Sequence, residues 1–319
     1  MQNISKLFSK LIINFFGMLN IKKSFSNKLN FNIGLNSLIH NKKFYETVKN
    51  INEIELKINS QNGEDGIIDF LTYKLNILKT NFVEIGVGEY IEANTRFLYD
   101  RYHQRGLIID CIKDLKNKVS SNVNLWKGEL NIVEHSVNAN NINEILKDNC
   151  NFEIDLFSLD IDSTDYWIIE RLKPKISKIF IAEYNSVFGG KYDISVPNTE
   201  KFDRFSYHYS GLCYGMSLRA LVRLMKNKGF YFIGTNTFKN NAFFINEDYP
   251  FKDYFKNFNK INYLDLETYA DSVFSESRNK SGKLNYLRGK SRLDEIKECE
   301  IIDFSDNNGT LKKIKNIIN

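Results

Sequence analysis

Thirty residues, Asn81–Asp110, constrain what this chain can fold into more than any other stretch. Phe82–Ile85 is a short apolar run interrupted only by Glu84, as expected of a buried strand. Gly86 and Gly88 follow in a turn, Thr95–His103 reads as a helix, and Leu107–Ile109 as a second strand closed by Asp110. In open α/β sheets, an adenosine is held by such a strand–helix–strand unit, with glycines after its first strand and an acid after its second. The acid can accept two hydrogen bonds from a ribose diol, and glycines let the backbone approach a ligand closely.

The alternation continues on both sides. Ser60–Gly66, SQNGEDG, is a turn cluster opening a helix that carries Ile67, Ile68, Leu71 and Leu75. Asn131–His135 is a third strand and Ile142–Leu146 lies in a short helix. Asp155–Leu159 is a fourth strand with Tyr166–Leu172 as its helix, and Ile179–Ala182 a fifth. A loop rich in Tyr and Phe runs from Tyr184 to Leu212. The helix Tyr214–Lys228 then shows Leu218, Leu221, Val222 and Met225 on one face, with Gly229 as its stop. Tyr231–Gly234 and Ala242–Ile245 are separated only by TNTFKNN, too short for a helical crossover and right for a hairpin. This pattern predicts an α/β fold, the Rossmann-like seven-stranded sheet of class I methyltransferases, with helices on both faces. That domain is expected over 58–250, with a basic N-terminal extension at 1–57 and an appendage at 251–319 that could face the substrate.

The 319 residues suffice for one generous core plus such an appendage. Net charge is +5, and no acid precedes Glu46. Within 4–19, Ile4, Leu7, Phe8, Leu11, Ile12, Phe15 and Leu19 fall on one helical face, with Lys6 and Lys10 elsewhere. Such a helix either lies in a membrane interface or packs on the domain or on a second copy of the chain. The packed reading is favoured; the stretch is too short and too interrupted by Asn14 and Gly17 to span a bilayer, and no small-residue cleavage site follows it, so a signal peptide is not expected. Cys111, Cys150, Cys213 and Cys299 are scattered, which argues against a zinc site or a disulfide scaffold and fits a reducing cytoplasm. The expected location is therefore cytoplasmic, at the inner membrane face if 4–19 meets lipid. A homo-oligomer is left open, and nucleic acid is not an expected partner.

Charge selects among adenosine cofactors. The third glycine of a dinucleotide loop would fall at Ile91, and Glu89 and Glu92 in the same turn would repel a pyrophosphate. A turn bracketed by Glu84, Glu89, Glu92 and Asp110 suits the cationic sulfonium of S-adenosylmethionine. Glu84 would hold the amino group of the methionine part, or else cap nearby amides. Asp110 would take the ribose hydroxyls. Gly86 and Gly88 would line the cofactor, and Asn94 and Thr95 would either cap the helix or touch the ligand.

Ligands of open α/β sheets lie beyond the carboxyl ends of the strands, where two acidic loops emerge. One is Asp160-Ile161-Asp162, followed by Asp165; the other is Glu183-Tyr184-Asn185. In one reading Asp160, Asp162, Glu183 and Asn185 bind Mg²⁺, which would acidify a hydroxyl. In the other, which is preferred, Asp160 contacts cofactor or acts as base and the remaining polar groups bind the acceptor. His208 is a minority candidate for the base. Tyr184, Tyr207, Tyr209 and Tyr214 could stack on a sugar or simply pack the loop. The basic run Arg278–Arg292 reads as a solvated surface before a phosphate-binding one.

The blocks SQNGEDGII, FVEIGVGEYIEANTRFL, LFSLDIDSTDYWI, FIAEYNSVF, YGMSLRALVRLMKNKGFYFIGTN and NAFFI occur in this order. Together they resemble bacterial S-adenosylmethionine-dependent methyltransferases related to the FkbM type. The resemblance covers Ser60–Asn246 and continues weakly through Val273–Leu293, leaving out the first fifty-odd residues. Tyr90 departs from it, standing where many class I enzymes carry a third small residue. The resemblance implies O-methylation of a saccharide or glycoconjugate in cell-surface polysaccharide biosynthesis. A non-catalytic scaffold in membrane-associated glycan assembly is the alternative, and a nucleotide-sugar oxidoreductase a weaker one.

Overall fold

The computed structural model describes residues 32–34, 36–37, 42–102, 104–249, 255, 276–306 and 309–318. The amphipathic stretch 4–19 lies outside them. Ten strands are formed, in chain order β1 Phe82–Ile85, β2 Gly106–Asp110, β3 Leu130–Glu134, β4 Ile154–Leu159, β5 Ser177–Glu183, β6 Ile194–Ser195, β7 Phe230–Thr235, β8 Asn241–Asn246, β9 Glu300–Asp303 and β10 Thr310–Lys313. Seven of them make one sheet in the order β3-β2-β1-β4-β5-β8-β7. The first five are parallel, and β8 runs antiparallel to both neighbours, β5 and β7. This is the Rossmann-like sheet of class I methyltransferases, closed by the expected hairpin.

Parallel strands covered on both faces bury every side chain, which is why β1 and β4 carry apolar residues at successive positions. Phe82 points into the core shared with the helices α1 Glu64–Lys74, α2 Arg96–Tyr102 and α3 Leu115–Asn122. Val83 points to the other face, covered by α4 Ile142–Asn149, α5 Asp165–Arg171 and α7 Leu218–Asn227. Each fully buried aliphatic or Phe side chain stabilises this arrangement by about 1.5–3 kcal/mol. Tyr45, Val48, Ile51 and Ile54, upstream of residue 58, are buried in the first of these cores.

The helix expected from Tyr214 begins at Leu218. Residues 214–217 are occupied otherwise: Gly215 sits at φ +60°, Met216 bridges to Ser195, and its carbonyl accepts from the Asn185 amide at 2.8 Å. Ser217 Oγ then caps the helix by accepting from the Ala220 amide. Within the loop after β5, α6 Arg204–Tyr207 forms, capped by Asp203. Among the described C-terminal residues, α8 Lys290–Glu295 precedes the β9–β10 hairpin, and β6 joins β9 in a second, three-stranded sheet. A third apolar cluster, with Phe188, Ile194, Ile296, Ile301 and Ile314 at its centre, ties this segment to the loop.

Candidate active site

Strand register sets the site. Ile85 pairs with Ile109 on one side and Leu159 on the other, and Leu159 pairs with Ala182. The next residues in each chain are therefore level with one another at the carboxyl edge: Asp110, Gly86, Asp160 and Glu183, on β2, β1, β4 and β5 in spatial order. Neighbouring strands lie about 4.8 Å apart, so this row spans roughly three strand spacings. Hydrogen bonds from the Gly86 amide to the Ile109 carbonyl (2.9 Å) and from the Asp160 amide to the Ile85 carbonyl (3.0 Å) fix it.

Gly86, at φ +86°, is needed for close approach, because a Cβ there would lie 1.5 Å from the Asp160 carbonyl oxygen. Gly88, at φ +55°, faces open space, with no atom within 4 Å of where its Cβ would be. Its amide donates to Asp110 Oδ2 at 2.7 Å, and the Ile112 amide donates to Oδ1 at 3.0 Å. Each carboxylate oxygen keeps an acceptor site for a ligand. Tyr90, left-handed at φ +57° and fully buried, turns its ring into the core, where its hydroxyl meets Thr95 Oγ1 at 2.9 Å. The Arg96 guanidinium lies 5.8 Å from that ring and donates to the Tyr90 carbonyl. A large residue at this position is thus accommodated by packing inward, which leaves the loop above Gly88 clear.

Glu84 performs the capping role rather than standing open to a ligand. Its Oε1 accepts from the Asn94 amide at 2.8 Å, and its Oε2 from the Thr95 amide at 2.9 Å and the Thr95 hydroxyl. Burial pushes its pKa up to about 7 against these donors, which pull it down. Asn94 reaches back to Ser158 Oγ at 3.0 Å. Glu89 pairs with Lys118 at 3.1 Å and Glu92 with Lys57 at 3.0 Å, both at the surface. The charge-based case for a sulfonium is corrected here, since all four of its acids have partners in the protein. Asp110 alone of the four is held by the amides of the glycine loop and its own turn and keeps acceptor sites beside that loop.

The other half of the row is different. Asp160, Asp162 and Glu183 bring carboxylate oxygens within 4.8 Å of one another. They line a cavity of about 250 Å³ together with Tyr214, Gln61 and Asn240. Loss of hydration, then the neighbouring charge of Asp162, holds the Asp160 carboxyl well above the ordinary range; burial, then Asp160, does the same to Glu183. Two acids held this close cannot both ionise at low cost, so they share a proton or await a cation. Asp162, at φ +53° and 45% exposed, is met by Arg204 Nη1 at 2.7 Å. Asp165 stands apart as a buried cap, accepting from the Ile161 and Ser163 amides at 3.0 Å.

Two candidates are held by the loop itself. Asn185 lines the cavity, and its Nδ2 donates to the Leu212 and Tyr214 carbonyls while its Oδ1 accepts from the Val187 amide. Its work is to hold the loop that walls the cavity. His208 does not line the cavity. Its Nδ1 lies 2.7 Å from Ser210 Oγ within its own loop, and burial lowers its pKa. His208 is thus held by its own loop, apart from the acids that line the cavity.

Arg204 and Phe205 were not singled out from sequence. Arg204 lies against the rings of Phe205 and Tyr214, at 4.9 and 5.2 Å, and Arg278 covers Phe205 at 4.4 Å. Glu276 and the almost fully buried Arg292 bring the C-terminal segment into the cavity wall. Part of the basic run Arg278–Arg292 is therefore built into the site wall rather than spread over solvent.

No protein-family model and no curated protein sequence matches the chain. Its fold is similar to that of solved structures, two of which are S-adenosylmethionine-dependent methyltransferases. One from Clostridium acetobutylicum is 12% identical, with a TM-score of 0.37 over 57% of this chain and 90% of that one. One from Aquifex aeolicus is 13% identical, with a TM-score of 0.32 over 54% and 85%. The pyocyanin biosynthetic protein PhzM is 12% identical, with a TM-score of 0.33 over 55% and 53%. The fold is defined by its own strand order, not by these likenesses.

Proposed function

We propose that this protein is an S-adenosylmethionine-dependent methyltransferase acting on a hydroxyl of a saccharide or glycoconjugate. The observation that carries this reading is the level row at the carboxyl edge. An open diol acceptor, Asp110, and a clear glycine loop lie at one end, and an acid-lined cavity at the other. The residues fit the cofactor, with Asp110 placed to receive the ribose hydroxyls and Gly86–Gly88 to leave room above the loop. They fit a dinucleotide poorly. The amides just ahead of α2, those of Asn94 and Thr95, are already filled by the Glu84 carboxylate and are not open to a pyrophosphate.

When bound, S-adenosylmethionine supplies a methyl group already activated by its sulfonium, so the chain must only orient an acceptor and remove its proton. Asp160, level with Gly86 at the carboxyl edge and beside Glu183, takes that proton. Glu183, met by the Tyr214 hydroxyl at 3.4 Å, stands beside Asp160, and Arg204 pairs with Asp162 at the rim. Gln61 and Asn240 in the lining, and Arg204 against the Tyr214 ring, supply the polar groups and the apolar face that a sugar would use. Were Mg²⁺ to enter, Asp160, Asp162 and Glu183 would hold it and it would acidify the hydroxyl. The metal-free reading is preferred because Arg204 already supplies a cation to Asp162.

Methyl transfer from labelled S-adenosylmethionine to fractionated surface glycans, with and without EDTA, tests the proposal. Incorporation that survives EDTA is expected. Calorimetric binding of NAD with no response to S-adenosylmethionine would overturn it.

A further inference from the structure

We infer that Cys213 and Cys299 are a redox-responsive pair, which a peroxide converts to a reversible disulfide fastening the loop that walls the cavity to the C-terminal segment. The two are far apart in the sequence, and packing alone brings them together. Residues 207–213 lie along residues 295–300. The Tyr207 hydroxyl donates to the Glu300 carbonyl at 2.6 Å, the Tyr209 hydroxyl to the Glu295 carboxylate, and the Arg278 amide to the Ser210 carbonyl at 3.2 Å. Cys213 and Cys299 both sit in the third apolar cluster, with Leu212, Ile296 and Ile301. Their thiols hydrogen-bond to each other, and the Tyr207 hydroxyl stands beside both.

The backbone on each side is pinned. Asn185 Nδ2 grips the carbonyls just before and just after Cys213, at 2.8 and 3.0 Å. The Cys299 amide donates to the Ile296 carbonyl at 2.9 Å, and its carbonyl accepts from the Ile314 amide at 3.0 Å. Cys299, 8% exposed, is the more open of the two, while Cys213 is fully buried. Donation from Cys213 lowers the Cys299 thiol below its ordinary value, whereas burial raises the Cys213 thiol. Cys299 is therefore the attacking sulfur and Cys213 the resolving one. In the first step a sulfur–oxygen bond forms at Cys299 and the peroxide bond breaks; the departing oxygen leaves as water with the thiol proton. In the second, Cys213 attacks that sulfur, the disulfide bond forms, and the sulfenic oxygen leaves as water with the Cys213 proton. Two electrons pass from the thiols to the peroxide, and the chain loses two hydrogens. Leu212 and Tyr214, on either side of Cys213, line the cavity, as do Glu276 and Arg292 of the C-terminal segment. The bond would thus join two parts of one wall from behind. Cys111, exposed, and Cys150, whose Sγ meets the Phe152 carbonyl at 3.6 Å, lie outside this cluster.

Peptide mapping of the full chain tests the pair. The reduced protein is treated in native buffer with a stoichiometric amount of hydrogen peroxide, alkylated, and digested without reductant. A Cys213–Cys299 crosslink, two hydrogens lighter than the paired thiols and reversed by dithiothreitol, is expected. The oxidised chain should also unfold about 5 °C higher than the reduced one, since the crosslink closes a long loop, and Cys299→Ser should abolish that difference. Recovery of both cysteines alkylated under conditions that oxidise Cys111 would overturn the inference. So would a crosslink that forms only in denaturant, or one that forms without raising the unfolding temperature.

Discussion

The two halves of the sheet's carboxyl edge carry similar numbers of acids and use them in opposite ways. At the β1–β2 end, Glu84 is saturated by the Asn94 and Thr95 donors, and Glu89 and Glu92 by surface lysines. At the β4–β5 end, Asp160 and Glu183 face one another across a cavity. An acid given amides holds the loop, its donors offsetting part of the cost of burial; an acid given another acid adds repulsion to that cost, which a proton or a cation relieves. In the proposed function the first kind builds the site and the second does its chemistry.

The largest expected effects are at the glycines. Gly86→Ala should lose at least about 3 kcal/mol of stability, since the new methyl collides with the Asp160 backbone at a positive φ. Gly88→Ala should cost only about 1–2 kcal/mol for its left-handed backbone, yet abolish measurable cofactor binding. Chemical denaturation and calorimetry on the pair separate the two. If Gly86→Ala proved as stable as Gly88→Ala, the contact between the two halves would be wrong.

Next in size is Asp110→Ala, which should weaken S-adenosylmethionine binding by about tenfold or more through lost hydrogen bonds to a charged acceptor. Unchanged affinity would move the ribose elsewhere.

Stability should also fall as pH rises from about 4 to 7. Glu84 is raised from 4.5 to about 7, and Asp65 and Asp165 from 3.8 to about 6, each chiefly by burial. Below the unfolded values both states are protonated and this contribution is fully present. Above them, the folded state keeps protons that the unfolded state has released, so the contribution is lost as pH climbs through the folded values. Denaturation midpoints that rise over this window would contradict the buried state of these carboxyls.

The smallest effects belong to Lys57→Ala and Lys118→Ala, which break exposed pairs and should change stability by about 0.5 kcal/mol or less. His208→Ala should leave methyl transfer within about twofold, because the ring faces Ser210. A large loss there would return it to the reaction.

Much of the fold was legible because burial on both faces writes parallel strands as apolar runs and TNTFKNN is too short for a crossover. The helix start at Leu218 was hidden, since residues 214–217 are claimed by Asn185 and Ser195 from distant segments. Asp110, Asp160 and Glu183 could be found from their place after strands. The job of Glu84 could not, because a carboxylate's partner ten residues on depends on the path of the loop between them. Arg204 and Arg292 reach the cavity only through tertiary packing, and no local spacing announces them.

The contrast itself is tested most directly by denaturation of two isosteric variants, Asp160→Asn and Glu84→Gln, at neutral pH without ligand. Asp160→Asn should raise stability by about 1 kcal/mol by relieving the acid pair, while Glu84→Gln should lower it by about 1–2 kcal/mol by disturbing the helix start. Two variants destabilised alike would contradict the account, placing both ends of the edge under the same structural role.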